Sequence, residues 1–154
     1  MAEANLDAAN TCYSDCQRRD QEFASGNRNV EGTFQVIPAV FLYFRAVELA
    51  LKAAIRERNL ATPDQIRFRS LGHNLEALIK RATVGTGAFT LAEMGMDQTA
   101  KDFLERWSDE YGSKSFEYHF GPWDIPEPAD CQRIATSIVE AIRPIAKALN
   151  PPEL

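Results

Sequence analysis

With 154 residues, 45% of them hydrophobic and 25% charged, the chain has the proportions of one globular domain, and residues 1–154 are read as a single unit. That balance excludes the low-hydropathy, high-charge composition of a disordered chain. A net charge of −5 argues against bulk nucleic-acid binding, and the most apolar run, Ile37 to Ile55, carries Arg45, Glu48 and Lys52, so no membrane span is expected.

The helical period recurs along the chain. Leu6, Ala9, Tyr13, Cys16 and Phe23 fall at steps of three, four and seven and predict a first helix, ended by Ser25-Gly26-Asn27. The acidic, Ala-rich start lacks the basic-then-apolar order of a secretory signal. Cys12, Cys16 and Cys131 are an odd set without a disulfide framework, which points to reduced thiols and a cytoplasmic location. Cys12 and Cys16, with only two histidines in the chain, make no ligand set, so no metal is expected.

Ile37, Val40, Phe41, Phe44, Val47, Leu51 and Ile55 form the stripe of a second helix. Pro38 is tolerated only near a helix start, which places the beginning near Phe34 to Ile37. Thr62-Pro63-Asp64-Gln65 then reads as a capping box opening a short turn, Pro63 to Arg69. Leu71, Leu75, Leu78, Ile79 and Ala82 make a third stripe, stopped by Gly85-Thr86-Gly87. That glycine pair lacks the Gly-Lys-Ser/Thr of a phosphate loop, no Gly-x-Ser-x-Gly elbow is present, and no cofactor is expected.

Thr90 with Glu93 is a second capping box, and Asp97 can recap the chain after Gly95. Met96, Ala100, Phe103, Leu104, Trp107 and Tyr111 continue one stripe. Pro122, Pro126 and Pro128 make Gly112 to Pro128 irregular, with Phe116, Tyr118 and Phe120 alternating as in extended chain. Cys131, Ile134, Ala135, Ile138, Ile142, Ile145 and Leu149 form the last helix, with Pro144 inside it. The predicted fold class is all-α, an up-and-down bundle of four to five helices with a long irregular segment before the last one.

Glu48 breaks the pattern of the second helix. With Phe44 at zero, 100° per residue places Glu48 at about 40°, inside the apolar stripe. A buried carboxylate requires a partner, so Glu48 is either a positioned acid in a cleft or half of a structural ion pair. His73 opens the third helix, where an imidazole can act as acid or base or simply cap the fold. Lys114, Tyr118 and His119 lie within six residues and either line a site or decorate a packed loop; Tyr118 and His119 with Trp123 are also read as a small-ligand pocket. Between Arg45 and Arg81, eight basic side chains face four acidic ones. That excess is either a phosphate-facing surface or a solvated helix face.

The runs Glu48-Leu49-Ala50-Leu51-Lys52-Ala53 and Gly72-His73-Asn74-Leu75-Glu76-Ala77-Leu78-Ile79, with Ser113-Lys114-Ser115-Phe116-Glu117-Tyr118 further on, resemble HEPN-like domains (higher eukaryotes and prokaryotes nucleotide-binding). The resemblance is closest over Ala39 to Ala82. It implies a helical bundle, a homodimer, and a group that includes metal-independent RNases and many toxin–antitoxin or phage-defence proteins. Those RNases carry an Arg, four to six residues, then a His. Arg67 and His73 match by letter, while Gly72 and a helix boundary interrupt the motif.

Two functions stay open. In one, the chain is a dimeric binding or interaction module for nucleotide or RNA, with Glu48, Lys52, Arg69, Lys114, Tyr118 and His119 as candidate binding side chains. In the other it is an endoribonuclease: His73 moves a proton, Arg67 stabilises charge on phosphorus, and Glu48 either orients His73 or neutralises Lys52.

Overall fold

In the computed structural model, residues 1–25, 36–67, 71–113 and 125–149 are described. Among them every regular element is helical. In chain order they are α1 (Ala2–Ala24), α2 (Val36–Glu57), α3 (Pro63–Arg67), α4 (Leu75–Thr83), a 3-10 turn (Ala92–Met94), α5 (Gln98–Arg106), α6 (Ser108–Gly112) and α7 (Pro128–Leu149). The all-helical expectation holds for these residues, which show three long helices and four short ones. None is long and apolar enough to cross a membrane. Most of the segment expected to be irregular before the last helix, including Phe116, Phe120 and Trp123, lies outside the described residues.

The second helix is the centre of the structure. It contacts α1, α3, α4 and α7, while α4 also contacts α5 and α6. Its sequence explains this. The predicted stripe is only half of what it buries: Ala39, Tyr43, Ala46, Ala50 and Ala54 form a second one beside it. A helix apolar on more than one side must be covered on more than one side. Tyr43 meets Tyr13 of α1 edge-on, and Phe44 stacks on Phe103 of α5 and Tyr111 of α6. The Asn10 amide oxygen accepts from the Tyr43 hydroxyl and from Gln132 Nε2, each at 2.9 Å, which joins α1, α2 and α7.

Three predicted caps are present. Thr62 and Gln65 bond reciprocally, Thr62 N–H to Gln65 Oε1 at 2.9 Å and Gln65 N–H to Thr62 Oγ1 at 3.3 Å. Thr90 and Glu93 do the same at 2.7 and 3.2 Å, and Asp97 caps α5 through the Ala100 N–H at 2.7 Å. Arg58 adds a clamp: its guanidinium lies 3.6 Å over the Phe89 ring and donates to Ala88 O and to Glu93. The Thr90 backbone N–H, Arg58 and the Thr90 hydroxyl together hold the Glu93 carboxyl down at about 2.

The predicted stripe from Met96 to Tyr111 is one helix in the pattern and two in the structure. Trp107 leaves helical geometry at φ −97° and ψ 6°, so the run divides at a turn there into α5 and α6. That turn lays Ser108 against the start of α4, where its Oγ accepts from the Glu76 N–H at 3.2 Å. Gly95, read from sequence as a helix-weakening residue, has a sharper role. Its φ is +67°, and a Cβ there would stand 2.4 Å from the Ser137 carbonyl oxygen of α7. Gly95→Ala should therefore cost about 2–3 kcal/mol in chemical denaturation, from clash plus left-handed strain. Gly87→Ala, at a similar φ but in open space, should cost about 1 kcal/mol.

Candidate functional site

Glu48 lies in the middle of α2 and is fully buried. Helical spacing places Arg45 one turn before it and Lys52 one turn after it, on the same face. Arg45 Nη1 donates to both carboxylate oxygens at 2.7 Å, and Lys52 Nζ donates to Oε1 at 2.6 Å. Tyr111 of α6 donates its hydroxyl to Oε2, and His73 Nδ1 lies 3.0 Å from the same oxygen. Burial alone would raise the Glu48 carboxyl; the bonds from Lys52, Tyr111, His73 and Arg45 outweigh it and hold it below the ordinary carboxylate range. Burial and the adjacent Glu48 charge push the Tyr111 phenol upward, so it stays a donor. For Arg45, burial acts to lower its pKa, and the Glu48 bond overcomes this and raises it.

His73 sits just before α4, whose N-cap is Asn74: the Asn74 side chain accepts from the Ala77 N–H at 2.8 Å. The imidazole is therefore free of the helix and turns toward α2, with its ring edge-on to Tyr111. Gly112 fits against the His73 carbonyl, where a Cβ would come within 3.1 Å. The His73 side chain is 48% exposed, so one edge meets the buried carboxylate and the rest faces outward.

That outward face belongs to an open cleft of about 670 Å³, lined by Arg67, His73, Asn74, Ser108, Asp109 and Ser113 among others. The structure thus brings Arg67 and His73 to one cavity, and His73 links that cavity to the buried Glu48, which Lys52 also bonds. Arg69, Lys114, Tyr118 and His119 lie outside the described residues. Sequence reasoning gave no role to Arg45, Tyr111 or Ser108. The available signal was Tyr111 itself, a phenol on an apolar stripe, because a buried hydroxyl needs a partner.

The basic excess between Arg45 and Arg81 is partly absorbed internally. Arg45 and Lys52 bond Glu48, and Arg58 bonds Glu93. Two cations on one carboxylate leave Arg45, Lys52 and Glu48 together at one positive charge. The thiols offer no nucleophile there: burial pushes Cys131 up to about 12 and raises Cys16. Among the described residues no three His, Cys, Asp or Glu side chains converge as a metal-binding group.

Removing the buried charge strands its partners. Glu48→Gln should lose about 3–5 kcal/mol of unfolding free energy at neutral pH. The folded-state carboxyl titrates below its ordinary value of 4.5, so its contribution is complete above pH 4.5 and disappears as pH falls through the folded value. Urea unfolding of wild type and variant at several pH values should show their difference shrinking only on the acid side of 4.5. Comparison of the chain with protein-family models, curated proteins and solved structures finds no significant match.

Proposed function

We propose that the chain is a HEPN-like helical module whose cleft, lined by Arg67 and His73, takes a phosphate group of RNA or a nucleotide. The observation that carries this reading is the shared cavity: a guanidinium and a carboxylate-held imidazole line one opening, with the Asp109 carboxylate beside them. Guanidinium groups bind phosphate through paired donors. On this reading α1, α2, α4, α5 and α7 are the helices of an up-and-down bundle. A homodimer and a cytoplasmic toxin–antitoxin or defence setting belong to the same reading.

A second reading, metal-independent RNA cleavage, is favoured by one specific observation: His73 Nδ1 meets Glu48 while no described residue bonds Nε2. The 2′-oxygen would attack the adjacent phosphorus and form the new O–P bond while its proton passes to Nε2. The bond from phosphorus to the 5′-oxygen would break, and that oxygen would take a proton from water. Arg67 would offset the charge that builds on the phosphoryl oxygens.

Fluorescence anisotropy with a short single-stranded RNA, in EDTA and low salt, tests the proposal. Wild type should bind, and Arg67→Ala, shown to be folded by circular dichroism, should bind about tenfold more weakly, equivalent to about 1.4 kcal/mol. Absence of binding, or equal affinity in the variant, overturns it. Denaturing gels of the same mixtures separate the two readings: cleavage that His73→Ala abolishes identifies the nuclease.

A further inference from the structure

The least expected part of the site is how many groups hold one carboxylate in place. Glu48 accepts from Arg45, Lys52 and Tyr111 in addition to its contact with His73. An ion pair between α2 and His73 alone would need only one of these. The additional donors keep the carboxylate ionised and fix the direction of its oxygens.

From this geometry we infer that Glu48 is a positioning residue that fixes neutral His73 as the Nδ1–H tautomer, so that Nε2 reaches the cleft as a hydrogen-bond acceptor. An ionised carboxylate oxygen 3.0 Å from Nδ1 can only accept, so Nδ1 must carry the proton. Arg45 Nη1 also lies 3.4 Å from Nδ1, but it already donates to both Glu48 oxygens at 2.7 Å. With Nδ1 protonated, Nε2 keeps its lone pair. The half-exposed ring presents that lone pair to the cavity that Arg67, Ser108 and Asp109 also line. The choice of tautomer matters because free histidine in water favours the opposite one, with the proton on Nε2. The carboxylate converts the cleft-facing nitrogen from a donor into an acceptor.

An acceptor beside a phosphate site distinguishes ligands by their hydroxyl groups. Resting on the proposed RNA reading, Nε2 receives a hydrogen bond from a ribose 2′-hydroxyl and finds no donor on a 2′-deoxyribose.

Two measurements on the full chain test this. The first is a two-bond ¹H–¹⁵N correlation spectrum of the histidine rings in mildly alkaline buffer, with His73 assigned by the signal lost in His73→Gln. The expected pattern has Nδ1 protonated and Nε2 bare; Tyr111→Phe keeps it, because Arg45 and Lys52 still hold the carboxylate. A wild-type ring protonated on Nε2, or averaged between tautomers, overturns the inference, and this outcome needs no variant of Glu48 to fold. The second compares single-stranded RNA and DNA of one sequence by anisotropy in EDTA. Wild type should prefer RNA by about five- to tenfold, the worth of one hydrogen bond, and His73→Gln should erase that preference. Equal RNA and DNA binding by wild type, or a preference that survives His73→Gln, also overturns it. If the tautomer is found as expected and neither nucleic acid binds, the positioning by Glu48 stands and the RNA reading falls.

Discussion

A single carboxylate sets the terms for one side of this structure. Glu48 is fully buried in α2, and an ionised group without water must be surrounded by donors or give up its charge. Two donors come from its own helix, but Tyr111 and His73 come from elsewhere in the chain. The requirement therefore joins α2, the residues before α4, and α6. The acid is the point at which local helical spacing becomes tertiary structure.

The parts of the fold that follow local rules were legible in the sequence. Thr62 with Gln65, Thr90 with Glu93, and Asp97 each announced a helix start, because capping depends on residues within one turn of each other. The apolar stripe of α2 and the anomaly of Glu48 within it were legible for the same reason. The second buried stripe was not, since Ala39, Ala46, Ala50 and Ala54 carry too little side chain to signal burial until a neighbour is known to cover them. Nor was the break at Trp107, where no proline or glycine interrupts the pattern; the turn is associated with contacts that Ser108 and Tyr111 make with distant residues.

The site follows the same division. Arg67 and His73 were paired by the motif that the HEPN-like resemblance implies, and the structure places both on one cleft. What spacing could not supply was the identity of the groups beneath them. Arg45 read as one more charge on a helix face, yet it and Lys52 are held by Glu48, so the count of basic residues overstates the positive surface available to a ligand.

The Asn10 amide that receives both Tyr43 and Gln132 has a consequence for how the molecule is made. Its two donors are separated widely along the chain, and Gln132 is 122 residues from Asn10. On a ribosome, α1 and α2 emerge early and can pair, but the third wall of that joint arrives only with α7. Until then the part of α2 that α7 contacts is wetted and available to other hydrophobic surfaces. The interval between those two moments of translation is when this polypeptide is most open to chaperones and to aggregation.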